Sequence, residues 1–266
     1  MNNNVYLDQI KSHKKVFLLY VFLRVMVALI MVKEFLAHNY EYVFLCILVL
    51  ILFIVPNLIE KEAGIRLPDT LEVIILLFIY SAEILGEIQS FYVLIPGWDT
   101  ILHTLNGFLS AAIGLSLVSI LNKSDRVAVS LSPFFIVMVA FCFSMTVGVI
   151  WEFIEFGCDM TFGLDMQKDT IITSIHSILL DSAGGNNAYV IKNITNTVVN
   201  GEKLPINGYL DIGLIDTMKD LFVNFIGALL FSVAGYLSMV HKKSKKWMNN
   251  FLPRKARDTS INNSQT

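Results

Sequence analysis

The sequence has few charged residues and few cysteines, and each scarcity excludes a class of protein. Only 16% of its 266 residues are charged, against about a quarter in soluble domains. The 20 basic and 22 acidic residues nearly cancel, which argues against nucleic acid as a partner. The three cysteines (Cys46, Cys142 and Cys158) lie in or beside apolar runs, without the spacing of a zinc site or a disulfide framework. The composition therefore predicts a protein of the lipid bilayer.

Long apolar runs are abundant, and they predict the fold class. A membrane-spanning helix needs roughly 20 mostly apolar residues. The segments that qualify are about 16–32, 42–59, 70–88, 100–121, 133–155 and 218–240. The first resembles a signal peptide but lacks a small-residue cleavage site, and another span follows closely, so we expect it to be retained. We predict an all-α, polytopic transmembrane bundle with about six spans.

The basic residues between the spans give an orientation. If residues 1–15 are cytoplasmic, the inside loops and the tail 242–266 carry most of the lysines and arginines, and the short outside loops carry only Lys33. Basic loops stay on the cytoplasmic side, so we expect both termini to be cytoplasmic and the tail to be disordered. Arg24 lies inside the first span, where we expect it to pair with a buried acid.

The segment 157–217 would then lie outside the membrane. Its stretch 169–181 places several aliphatic residues on one helical face, but it is too short to span. This pattern predicts an interfacial or re-entrant helix. The following loop, 183–211, contains Asn200-Gly201, which is typical of a tight hairpin.

Polar side chains gather at the ends of four spans that this orientation brings to the outer leaflet. They are Glu83 and Glu87; Asp99, His103 and Asn106; Trp151, Glu152, Glu155 and Asp159; and Asp216, Asp220 and Asn224. Within each span the acids, the histidine and the asparagines recur at intervals of three or four, which puts them on one helical face. We therefore expect these faces to converge.

Several carboxylates in a poorly hydrated site repel one another, so they must bind cations or share protons. Oxygen ligands with one imidazole suit Mg²⁺, Mn²⁺, Ca²⁺ or iron, so a divalent cation is the cofactor that the pattern suggests. The candidate ligands are Asp99, His103, Glu152, Glu155 and Asp220. His103, Glu152 and Asp220 are also candidate catalytic groups, and Asn106, Trp151 and Asn224 are candidate substrate-binding or orienting groups. The secondary candidates are Glu83, Glu87, Asp159 and Asp216. For Asp99, Asp159 and Asp216, a role as a helix N-cap or as a loop charge is an equal alternative. For Glu83 and Glu87, the equal alternative is a position at the rim of the outer surface.

Four blocks of the sequence resemble the YjdF-type bacterial membrane proteins, a family without an assigned activity. The blocks are PDTLEVIILLFIYSAEILGE, YVLIPGWDTILHTLNGF, WEFIEFGCDMTFGLDMQ and LIDTMKDLFVNFIGALL. More distantly, the Asp-x₃-His of residues 99 and 103, an acidic pair, and the Asp-x₃-Asn-x₂-Gly of residues 220–227 are similar to VanZ-like membrane proteins. Some of those proteins are linked with resistance to glycopeptide antibiotics. An arginine that often precedes the last motif in that family is absent here. The resemblance implies a bacterial plasma-membrane protein.

Three functions fit these observations. The first is an enzyme, cation-dependent or acid–base, that acts on a lipid-linked or cell-envelope substrate. The second is a small proton- or ion-coupled transporter, which would need acids through the whole depth of the bilayer. The third is a membrane scaffold or accessory protein in which the polar cluster only fixes helix packing.

Overall fold

The structure, a computed structural model, describes residues 14–63, 65–122, 131–241, 251 and 254–255. The N-terminal segment 1–15 and the tail 242–266 therefore lie largely outside the described residues. The helices are α1 (Lys14–Leu36), α2 (Tyr40–Leu52), α3 (Val55–Ala63), α4 (Asp69–Ile79), α5 (Phe91–Leu94), α6 (Trp98–Asn122), α7 (Pro133–Phe162) and α8 (Leu214–Val240).

Among the residues that the structure describes, five helical stretches are long and apolar enough to cross a membrane. They are Val16–Leu36, Tyr40–Leu58, Trp98–Ser119, Pro133–Phe162 and Leu214–Val240. They lie at five of the six predicted spans. The mostly helical fold predicted from the apolar runs is thus confirmed.

The predicted span 70–88 is helical, but not as one α-helix. After α4 the chain continues as a π-helical segment, Tyr80–Ile88, in which each turn is wider. The Trp98 indole nitrogen at the start of α6 donates a hydrogen bond to the carbonyl oxygen of Ser81 at 3.3 Å. Residues 69–88 are therefore continuously helical, but the α-helix ends at Ile79, where the wider π-helical winding begins.

The chain forms two compact units, Met1–Gly148 with Val223–Thr266, and Val149–Phe222. In the first unit, α1 and α2 share an apolar core that includes Val27, Val49 and Phe53. A second core forms around Leu115 and Phe231 of α6 and α8. Over their most apolar windows, α6 is 56% buried and α1 only 17%. The helix with Asp99 and His103 is therefore the most enclosed of the five, and α1 is the most open.

Glycines bring α6 and α8 into backbone contact in the first unit. A Cβ atom on Gly107 would lie 2.0 Å from the carbonyl oxygen of Asn224, and one on Gly227 would lie 2.0 Å from that of Thr104. No other residue leaves room for two helices at this separation. This close crossing fixes the register of α8 against α6.

The second unit joins the end of α7 to the start of α8 through short antiparallel strands. Strand β2 (Ile171–Ile172) pairs with β7 (Tyr209–Leu210), β3 (Ile175–Ser177) with β4 (Tyr189–Ile191), and β5 (Val198–Val199) with β6 (Glu202–Lys203). A single 3₁₀ turn, Ile178–Leu180, follows β3. In the first unit, β1 (Ile65–Arg66) pairs with β8 (Arg254–Lys255).

The predicted interfacial helix at 169–181 is wrong. Its residues form β2, β3 and the 3₁₀ turn. Ile171, Ile172 and Ile175 are β-branched, which favours extended backbone, and their backbone groups bond to strands that lie further along the chain. The hairpin predicted at Asn200-Gly201 is confirmed: both residues have positive φ, 53° and 88°, and they join β5 to β6.

Candidate functional site

Asp99 and His103 lie one turn apart on α6. The Nε2 atom of His103 is 3.4 Å from Oδ1 of Asp99, the pairing that their four-residue spacing predicts. The His103 side chain is 9% exposed, and that of Asp99 is 28% exposed. The pair therefore has a buried imidazole and a carboxylate that water can reach.

Asn106 and Asn224 connect α6 to α8 about one helical turn after His103. Nδ2 of Asn106 donates a hydrogen bond to Oδ1 of Asn224 at 3.1 Å, and Nδ2 of Asn224 donates to the carbonyl oxygen of Ser144 on α7 at 3.5 Å. The hydroxyl of Ser144 donates in turn to the carbonyl oxygen of Gly107 at 2.7 Å. Asn224 is 1% exposed, so these side-chain hydrogen bonds form within the packed interior. They hold three helices together at the point where the glycines allow close approach.

Asp220 precedes Asn224 by one turn of the same uninterrupted helix, as His103 precedes Gly107 on α6. Asp220 is 1% exposed. One carboxylate oxygen of Asp220, one of Asp99 and one ring nitrogen of His103 all lie within 4.8 Å of one another. The contact between Gly107 and Asn224 sets the level at which these side chains meet.

Glu152 and Glu155 lie near the end of α7 and are buried, at 4% and 8% exposure. The indole nitrogen of Trp151 donates a hydrogen bond to Oε1 of Glu155 at 2.7 Å. Phe153, on the opposite side of the helix, is 69% exposed. Two carboxylates thus face inward on a helix whose other face is apolar. Neither belongs to the group formed by Asp99, His103 and Asp220.

Asp159 and Asp216 bind backbone amides of the loop that follows α7. The two carboxylate oxygens of Asp159 accept hydrogen bonds from the amides of Met166 and Gln167 at 2.7 and 2.9 Å. Oδ2 of Asp216 accepts one from the amide of Lys168 at 2.9 Å. Both carboxylates thus hold this loop through its backbone amides. Asp159 lies inside α7 and Asp216 inside α8, so neither is an N-cap.

Asp211 has a similar role that the sequence reasoning did not identify. Its carboxylate accepts hydrogen bonds from the amides of Thr170 and Ile215, both at 2.7 Å. Burial opposes ionisation of Asp211, yet these amide hydrogen bonds outweigh it and hold the pKa below its ordinary value. Burial, and then the charge of Asp165, raise the pKa of the nearby Asp169. The position of Asp211, four residues before Ile215 at the start of α8, was the sequence signal for this role.

Glu83 and Glu87 lie on the π-helical segment. Glu87 is exposed and Glu83 is half-buried. Neither belongs to the group formed by Asp99, His103 and Asp220. The structure therefore assigns them no shared site with that group.

The geometry of Asp99, His103 and Asp220 fits a single cation. Ligand atoms about 2.0–2.2 Å from one ion lie about 3 to 4.4 Å from one another, depending on the angle between them. Separations within 4.8 Å require only small side-chain movements to reach that range. Two carboxylates and one imidazole are also a ligand set that suits divalent metals such as Mn²⁺ or Fe²⁺.

Comparison with known proteins identifies a family. No curated protein and no solved structure matches the chain. The family described as "Predicted membrane protein (DUF2238)" matches residues 18–243, which include the five long helices apart from a few terminal residues. The chain is an integral membrane protein and belongs to this family.

Proposed function

We propose that this protein binds a divalent cation at Asp99, His103 and Asp220 and uses it to act on a lipid-linked or cell-envelope substrate. The observation that carries the proposal is the approach of these three ligand atoms to within 4.8 Å of one another. A carboxylate as buried as that of Asp220 needs a proton or a cation, because an uncompensated charge in the interior costs several kcal/mol.

The exposure of the three residues supports a site that is closed on one side. Asp220 and His103 are buried, whereas Asp99 is partly open. A substrate or water molecule would approach from the Asp99 side. When bound, the cation would supply Lewis-acid activation of a substrate oxygen or of water.

Other buried groups have proposed supporting roles. Glu152 and Glu155 on α7 would accept or share protons, and the Trp151 indole holds the Glu155 carboxylate in place. Asn106 and Asn224 would orient the ligands through their contact between α6 and α8. Glu152 and Glu155 are also the two further candidate metal ligands proposed from the sequence.

The membrane setting favours a substrate of the outer leaflet. We place both termini in the cytoplasm of a bacterial plasma membrane, because the basic residues cluster in the loops on that side. The resemblance to YjdF-type and VanZ-like proteins adds support for a role in the cell envelope.

The test is the metal content of the purified protein in detergent. We expect about one divalent ion per chain after supplementation and dialysis, and loss of that ion in His103→Ala and in Asp220→Asn. His176→Ala is the matched control, because His176 is an exposed histidine on β3 and should leave the metal content unchanged. A folded wild-type protein that retains no Mg²⁺, Mn²⁺, Ca²⁺, iron or zinc would refute the proposal.

A purely structural role for the polar cluster is the second candidate, and the bonds of Asn224 to Asn106 and Ser144 favour it. A structural role predicts that the wild-type protein holds no metal. It also predicts that His103→Ala and Asp220→Asn lower thermal stability and change no other property. Measuring stability and metal content on the same samples separates the two functions.

A further inference from the structure

Arg24 lies within the apolar stretch Val16–Leu36 of α1 but makes no ion pair within the described part of the chain. The acid partner expected from the sequence is therefore not present there. The guanidinium carbon instead lies 4.2 Å from the centre of the Tyr20 ring. Its Nε atom is buried without a hydrogen-bond partner among the described residues. A guanidinium stays charged in proteins, so this charge needs an anion from outside the described chain.

The direction of the side chain indicates where that anion lies. Tyr20 is one turn before Arg24, and four residues of α-helix rise about 6 Å. The guanidinium therefore reaches back toward the N-terminal end of α1. The Tyr20 ring also packs 6.4 Å from the ring of Phe53, which follows the end of α2. The charge is thus held near one end of the pair of helices, as expected when a long basic side chain extends to the bilayer interface.

The surroundings of Arg24 suit lipid rather than protein. Phe17, Val21 and Val25 on the same helix are 47%, 39% and 51% exposed. Acyl chains pack against such residues, and the phosphates of the same lipids lie at the helix ends. Arginine binds phosphate through two parallel N–H groups, a geometry that remains available when an aromatic ring covers one face of the guanidinium.

We propose that Arg24 and Tyr20 bind the phosphate group of a phospholipid in the leaflet at the N-terminal end of α1. Tyr20 holds the guanidinium by a cation–π contact, and the guanidinium edge donates hydrogen bonds to the phosphate oxygens. This site is independent of the proposed cation site, because it depends on neither Asp99, His103 nor Asp220.

Native mass spectrometry of the detergent-solubilised full chain tests this site with two lipids. Dioleoylphosphatidylglycerol carries a phosphate, and a galactosyl dioleoylglycerol does not. We expect the wild-type protein to retain one phosphatidylglycerol in preference to the glycolipid. Arg24→Leu should weaken that retention about fivefold, which corresponds to about 1 kcal/mol for one basic residue near a phosphate-bearing surface. Arg24→Lys and Tyr20→Leu should fall between the two, because each removes one part of the contact: the planar guanidinium or the aromatic ring.

The control and the contrary outcomes are specific. Lys33→Ala removes a basic residue near the other end of α1 and should bind phosphatidylglycerol like the wild type. Excess inorganic phosphate should not displace the lipid; displacement would show a free-phosphate site instead. A dimer that is lost in Arg24→Leu would identify a carboxylate of a second copy as the partner. Equal retention of both lipids, or equal retention of phosphatidylglycerol by the wild type, Arg24→Lys and Tyr20→Leu, would also overturn the proposal.

Discussion

Gly107→Ala should open the crossing between α6 and α8. The new Cβ atom would lie 2.0 Å from the carbonyl oxygen of Asn224, where ordinary contact begins at 3.4 Å. The clash is with backbone, so a side-chain rotation cannot relieve it, and the helices must separate by more than 1 Å. The 3.1 Å hydrogen bond from Asn106 to Asn224 would then stretch beyond bonding distance.

The expected cost follows from these two effects. Overpacking of a close contact costs about 1–3 kcal/mol, and a hydrogen bond between membrane helices contributes about 0.6 kcal/mol. We therefore expect Gly107→Ala to lower the free energy of unfolding by about 2–4 kcal/mol. Because Asp220 lies one turn from Asn224, the same substitution should also weaken cation binding.

Unfolding in mixed micelles with increasing denaturing detergent measures the first effect, and metal content measures the second. Gly157→Ala is the matched control, since it makes the same change on α7 where nothing lies within 4 Å. It should stabilise the protein by up to about 1 kcal/mol through helix propensity. If Gly107→Ala were as stable as the wild type, the backbone contact between α6 and α8 would not exist as described.

Three further predictions concern other contacts. In a double-mutant cycle of Asn106→Ala and Asn224→Ala, unfolding free energies should show a coupling of about 0.6 kcal/mol, and a coupling of zero would contradict the hydrogen bond between them. The folded-state pKa of Asp211 is lowered, so its stabilising contribution is complete above the ordinary value of about 4 and is lost as the pH falls through the folded value. Amide hydrogen exchange at Thr170, corrected for the intrinsic rate, should therefore accelerate in acid, and Asp211→Ala, which removes the acceptor, should show fast exchange at every pH. Gly201→Ala places a side chain at a φ of 88° and should increase protease cleavage within the β5–β6 hairpin, whereas Ala188→Gly, in the same segment before β4, should not raise cleavage at that hairpin.

Some features of this fold can be predicted from the sequence because they depend on neighbours along the chain. Apolar runs of about 20 residues indicate membrane helices wherever they occur, since lipid leaves few other conformations open to the backbone. The four-residue spacing of Asp99 and His103 predicts their contact on α6 for the same local reason. The hairpin at Asn200-Gly201 likewise depends on two adjacent residues that tolerate positive φ.

Other features depend on partners far away in the sequence, and there the local pattern was ambiguous or misleading. The isoleucines at 171 and 175 fit a helical face as well as a strand, and pairing with Leu210 and Ile191 decides for the strand. Asp159 and Asp216 have the residue type of ligands, yet the position of the loop amides makes them hydrogen-bond acceptors for that loop.

The candidate site itself shows the same division. The spacing of the polar residues along each helix predicts which of them share a face, because helical periodicity is local. Which of these faces meet depends on packing between distant segments. Asn106 and Asn224 are 118 positions apart and touch because Gly107 and Gly227 let α6 and α8 approach to backbone contact. That approach sets Asp220 at the level of Asp99 and His103, whereas Glu83 and Glu87, equally acidic in the sequence, are not part of that group.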